Sequence, residues 1–148
     1  MKNKIILLVE DNPDDQVLTI QALKNSNIIN EVIIADDGIE ALDYLFGRGK
    51  YARRDTTQFP SVILLDINLP KMNGLEVLKE IRQNEKTQLI PVVILTTSKE
   101  EQDLIASYKL GANSYVQKPV DFNQFAEAIK HLGLYWLLLN TLPPSLEK

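Results

Sequence analysis

Strand-like and helix-like segments alternate five times along this chain. The apolar runs Ile5–Val9, Val32–Ala35, Val62–Leu65, Val92–Leu95 and Ser114–Val116 are short and rich in β-branched residues. Most are continuous rather than alternating, which marks strands buried on both faces of a parallel sheet. Between them, apolar residues recur with helical spacing in Asp14–Asn25, Gly38–Phe46, Gly74–Gln83, Lys99–Leu110 and from Asp121 onward. Such alternation predicts right-handed βαβ units and an α/β, doubly wound five-stranded parallel sheet between two helical layers. Helix punctuation agrees. Asn12 is placed to cap the first helix, with Pro13 at its first position and Asp14 and Asp15 in its first turn. Gly111 stands where the fourth helix should stop.

The chain has 148 residues, the size of one domain. Lys and Arg number 16 against 20 Asp and Glu, a net charge of −4. That balance argues against nucleic acid as a partner, since such binding needs surplus positive charge. There is no Cys and a single His, His131, which excludes disulfides, a Cys nucleophile and a multi-His metal site. The apolar start at Ile5 is cut short by Glu10 and Asp11, too early for a signal core. The later stretch Leu132–Leu142 is too short to cross a bilayer. No membrane role and a cytoplasmic location are expected. The connection Gly47–Pro60, with Arg48, Lys50, Arg53 and Arg54, reads as a solvated surface insertion.

Open α/β sheets bind ligands at the carboxyl ends of their strands. The first strand delivers Glu10 and Asp11 there, the third Asp66, the fourth Thr96, and the fifth is followed by Lys118. In a strand order of 2-1-3-4-5 the first and third are neighbours, so three carboxylates converge opposite a hydroxyl and an ammonium. Oxygen donors of this kind suit Mg²⁺, which relieves their mutual repulsion. Asp66, alone at the end of a buried strand, can act as a nucleophile toward phosphorus and form an acyl phosphate. Lys118 and Thr96 are placed to stabilise charge on the transferring group. Singly, each residue reads as a helix cap, a loop charge or a strand residue; their joint order carries the inference.

The segments Leu7–Asn12, Leu64–Pro70 with Asn73-Gly74, Pro91–Thr96, and Gly111-Ala112 through Tyr115 to Lys118-Pro119 resemble the receiver domain of two-component response regulators. The resemblance covers roughly residues 4 to 130 and implies a flavodoxin-like three-layer sandwich. It implies that Asp66 is the phosphoacceptor of a sensor histidine kinase. Asp11 matches the direct Mg²⁺ ligand, Glu10 its water-linked neighbour, and the Asn68 backbone carbonyl the third protein ligand. Thr96 matches the switch hydroxyl, Tyr115 the aromatic residue that moves with it, and Lys118 the partner of the phosphoryl oxygens. The Lys118–Pro119 bond is cis in the family. Glu10 stands where Asp is also common, and Thr97 where a smaller residue is frequent, so that Thr97 partly obstructs access to the phosphoryl group. The Gly47–Pro60 loop and the tail from Tyr135 to Pro143 further resemble small response regulators that pair with bacterial phytochromes, which makes a phytochrome the expected kinase.

The receiver is expected over residues 1–131, with 132–148 as a helical extension serving as an interaction surface and an extended tail over Pro143–Lys148. Between Leu132 and Leu142 the apolar residues surround the helix, and one face needs a covering. A homodimer through the fourth helix, fifth strand and fifth helix is expected, anchored by Tyr135, Trp136 and Leu139; the alternative is a helix folding back on its own domain. Two rival functions remain. A phosphatase of the haloacid dehalogenase type carries a second Asp two residues after the nucleophile, where this chain has Asn68. A phosphorylation-independent interaction module would be favoured by loss of Asp66, Asp11 or Lys118, all of which are present.

Overall fold

The computed structural model describes residues 4–28, 30–118 and 121–146. Strands β1 (Ile5–Val9), β2 (Glu31–Ala35), β3 (Val62–Leu65), β4 (Val92–Thr96) and β5 (Ser114–Gln117) form one parallel sheet in the order β2-β1-β3-β4-β5. Helices α1 (Pro13–Asn25), α2 (Gly38–Phe46), α3 (Gly74–Gln83), α4 (Glu101–Lys109) and α5 (Phe122–Gly133) alternate with them. The doubly wound α/β sandwich expected from the sequence is therefore the fold, with element ends displaced by one or two residues.

Strand periodicity divides the core into two layers. Leu7, Val9, Ile63, Leu65, Val92 and Ile94 pack with Ala41, Leu42 and Leu45 of α2 and Val77, Leu78 and Ile81 of α3. Their strand neighbours Ile6, Leu8, Val62, Leu64, Val93 and Leu95 point the other way, onto Ala22 and Leu23 of α1 and Phe125 and Ile129 of α5. Both faces are buried, which is why these strands are continuous apolar runs. Each such side chain contributes roughly 1.5–3 kcal/mol by leaving water. Asn12 caps α1 by accepting from the Asp14 and Asp15 N–H groups at 2.9 and 3.4 Å. Gly111 adopts φ +102° just after α4, a left-handed stop that other residues rarely adopt.

The insertion packs on its own helix. A 3₁₀ turn at Gly49–Tyr51 sets the Tyr51 ring edge-on to Tyr44 at 5.1 Å. The Arg54 guanidinium lies over the Tyr44 ring at 4.0 Å and donates to the Tyr44 carbonyl at 2.6 Å.

The C-terminal segment departs from expectation. After α5 the winding loosens into a π-helix over Leu134–Leu139, closed by the Asn140 N–H on the Tyr135 carbonyl at 2.7 Å. The tail is not extended: Pro144–Leu146 forms a 3₁₀ turn. The reason lies in its leucines. Leu137 is buried in the α1/α5 layer, whereas Leu142 and Leu146 are buried in the α2/α3 layer. The Lys4 ammonium, just before β1, donates to the Leu137 carbonyl at 2.6 Å. The chain thus passes beneath the amino ends of the strands from one helical layer to the other.

Candidate functional site

Register builds the site. Val9 pairs with Leu65, and the Asp66 N–H donates to the Val9 carbonyl at 3.1 Å, so Glu10 and Asp66 leave adjacent strands side by side. Carboxylate oxygens of Glu10, Asp11 and Asp66 lie within 4.8 Å of one another. On the far side Thr96 pairs with Gln117, and the Lys118 N–H donates to the Thr96 carbonyl at 2.7 Å. The Lys118 ammonium then reaches across the edge. It bonds Glu10 Oε1, Asp15 Oδ2 at 2.9 Å and Asp66 Oδ2 at 3.2 Å.

These groups are shut away from water: the side chains of Lys118, Glu10 and Asp66 are 5%, 4% and 8% exposed. Burial pushes the Glu10 carboxyl above its ordinary value; the hydrogen bond and charge of Lys118 oppose this, and the charge of Asp66 adds to it. Burial works against the Lys118 ammonium, yet its bonds to Glu10 and Asp15 and the charges of Asp66 and Glu10 outweigh burial and raise its pKa. One ammonium therefore faces a surplus of carboxylates. A hard divalent cation fits this all-oxygen donor set and would balance the charge.

The remaining backbone details frame Asp66. Its Oδ1 accepts from the Asn68 N–H at 3.3 Å, and Asn68 itself is exposed. Gly74, at the start of α3, is pressed against Asp66: a Cβ there would stand 2.1 Å from the Asp66 carbonyl oxygen. Thr96 is wholly buried, and its hydroxyl accepts from the Ser98 N–H at 3.2 Å. Tyr115 is half-buried and donates to the Ser98 carbonyl at 3.1 Å. Both expected switch residues are thus tied to one loop residue. Thr97 is exposed at the same edge. The Lys118–Pro119 bond lies outside the described residues.

Of the expected interface residues, Tyr135 is 49% and Leu139 72% exposed, while Trp136 packs partly on its own core and meets Tyr135 edge-on at 4.9 Å. Two residues of the site escaped the sequence reading. In the sequence Asp15 reads only as an acid in the first turn of α1. Gln16 donates to the Glu10 carbonyl at 2.6 Å and to Asp36 Oδ1 at 2.8 Å.

Comparison with known proteins gives a consistent result. The model of the response regulator receiver domain matches residues 6–130. The response regulator Rcp1 of Synechocystis sp. is 44% identical over 142 residues, spanning 96% of this chain and 95% of the relative. A crystal structure of its Mn²⁺-bound form superposes with a TM-score of 0.87, at 44% identity over 95% of this chain and 99% of that one. The phosphorylated cyanobacterial phytochrome response regulator RcpA superposes with a TM-score of 0.89, at 43% identity over 96% of this chain and 99% of that one. The bacteriophytochrome response regulator AtBRR is 52% identical, with a TM-score of 0.75, over 95% of this chain and all of its own.

Proposed function

The chain belongs to the response regulator receiver domain family, a family of signalling modules rather than enzymes, and on that premise we propose that Asp66 accepts a phosphoryl group from a sensor histidine kinase in a Mg²⁺-dependent reaction. The observation that carries this reading is the Asp66 carboxylate, buried at the carboxyl edge between two other acids and the Lys118 ammonium.

An Asp66 oxygen forms the new bond to phosphorus, and the bond to the departing imidazole nitrogen breaks with its electron pair. Lys118 offers an N–H to the phosphoryl oxygens, and Thr96 turns its hydroxyl toward them once it releases the Ser98 N–H. Glu10, Asp11, Asp66 and the Asn68 carbonyl would hold Mg²⁺, which would supply positive charge opposite the incoming phosphoryl group. Glu10 and Asp11 place that charge, and Gln16 steadies the Glu10 backbone. Because Thr96 and Tyr115 share Ser98, movement of the hydroxyl is felt by the ring, which stands on β5 beside α4. The phosphoryl group thereby biases two arrangements of the α4-β5-α5 face.

That face also supports self-association. Ile105 and Tyr108 of α4 are about half exposed, as is Tyr135, and Leu138 and Leu139 are more so. A homodimer anchored by Tyr135, Trp136 and Leu139 covers them. A monomer in sedimentation at high micromolar concentration, with and without a phosphoryl mimic, would remove the dimer from this reading. The similarity to RcpA and AtBRR makes a phytochrome-type kinase the partner of choice. Among the described residues no helix is long and apolar enough to cross a membrane.

The decisive experiment is incubation with acetyl phosphate, with and without Mg²⁺, followed by intact mass. A Mg²⁺-dependent phosphoryl adduct that Asp66→Asn abolishes is expected. No adduct under any condition would transfer the reading to a phosphorylation-independent interaction module.

A further inference from the structure

Asp15 occupies the third position of α1, where an acid ordinarily reaches back to the N–H of the capping residue. That N–H, on Asn12, instead donates to Glu10 Oε2 at 3.1 Å. Asp15 turns toward the sheet edge, three-quarters buried, and meets the Lys118 ammonium at 2.9 Å. An ammonium has three N–H donors. Here the three go to Glu10, Asp15 and Asp66. Asp15 stands outside the set of acids whose oxygens converge, which is Glu10, Asp11 and Asp66.

We propose that Asp15 is a positioning residue for phosphoryl transfer: it holds the Lys118 ammonium beside Asp66 while the phosphoryl group arrives. The inference rests on the reading of Asp66 as acceptor. With acetyl phosphate as donor, an Asp66 oxygen bonds to phosphorus, the bond from phosphorus to the acetate oxygen breaks, and its electron pair leaves on acetate. No proton moves. Glu10 and Asp66 both change neighbours when a cation and a phosphoryl group enter. Asp15, alone of the three acids on Lys118, lies outside the converging oxygens, so neither arrival displaces it. The ammonium is thus pinned at one point while the N–H that faced Asp66 turns to a phosphoryl oxygen. Without Asp15, Lys118 settles onto Glu10 and Asp66 and pairs with the attacking carboxylate. The loss falls on the rate at saturating donor rather than on donor binding.

The test follows adduct formation by intact mass against acetyl phosphate concentration at saturating Mg²⁺, for the parent, Asp15→Ala, Asp15→Asn and Asp15→Glu. Mg²⁺ affinity is measured separately by calorimetry without donor. The maximal rate of Asp15→Ala falls by about tenfold, the scale of one charge-assisted hydrogen bond, with half-saturation within about twofold of the parent. Asp15→Glu recovers most of the rate, and Mg²⁺ affinity stays within about threefold in all variants. Asp15→Asn keeps the side-chain shape, and α1 is capped by Asn12, so this variant retains the fold. Rates within about twofold of the parent for both Asp15→Ala and Asp15→Asn would overturn the inference, as would a loss of Mg²⁺ affinity beyond about tenfold, which would make Asp15 a cation ligand. A labelled parent with an equally labelled Asp15→Ala sinks this inference alone; an unlabelled parent sinks the reading of Asp66 as well.

Discussion

At the carboxyl edge of the sheet, Glu10, Asp66 and Lys118 are buried together, with more acids than positive groups among them. At the amino edge, the chain that crosses beneath the strands buries Leu137, Leu142 and Leu146 and is tied by the Lys4 bond to the Leu137 carbonyl. The first edge holds a surplus of negative charge that a divalent cation can relieve. The second is held by apolar burial and carries no such surplus of charge among the described residues. One sheet keeps them apart, so stability gathered at the amino edge and from the two cores offsets the cost of buried charge at the other.

Substitutions at the two edges should therefore differ in their response to Mg²⁺. Lys118→Ala has the largest effect: it leaves Glu10 and Asp66 buried without their cation and costs about 4 kcal/mol in urea unfolding at pH 7 with a chelator. Mg²⁺ restores a good part of that loss; no restoration would mean that the carboxyl edge is not a cation site. Leu137→Ala opens a cavity at the amino edge and costs about 3 kcal/mol, unchanged by Mg²⁺ and without altering the extent of labelling at Asp66. A Mg²⁺-dependent cost there would break the separation of the two edges.

Glu10→Gln works in the other direction. Its folded pKa lies above the ordinary value of 4.5, so its contribution to stability is fully present below that pH and is lost as pH rises through the folded pKa. Neutralising it should raise stability at pH 7 without Mg²⁺ by about 1 kcal/mol, and by less as the pH falls below 4.5. A destabilised variant would show that the Lys118 bond to Glu10 outweighs burial and crowding. Leu139→Ser should be the mildest, within about 0.5 kcal/mol, because the side chain touches little of its own domain. The same change should weaken self-association seen by sedimentation.

Much of both edges was legible in the sequence, for different reasons. The strand runs and the acids that end them are local, and a parallel sheet brings strand ends together whatever the loops do. Glu10, Asp11, Asp66 and Lys118 could therefore be placed at one edge from order alone. Asp15 was obscured because an acid in a helix's first turn already has an ordinary explanation, and only the tertiary position of Lys118 gives it another. The tail departs from the extension that Pro143 and Pro144 suggest because Leu142 and Leu146 are buried in a core layer made by residues remote in sequence. The π-helix at Leu134–Leu139 has no periodic signature short enough to read.

α4 buries Ser107 alone, while α3, on the same face of the sheet, buries Val77, Leu78 and Ile81. An element with so little apolar anchorage opens at a small fraction of the global unfolding free energy. Its amide protons will exchange with solvent deuterium far sooner than those of α3. On the proposed reading, phosphoryl transfer at the strand ends would be displayed on α4, the least anchored of the five α-helices, where a small change in restraint produces a large change in occupancy.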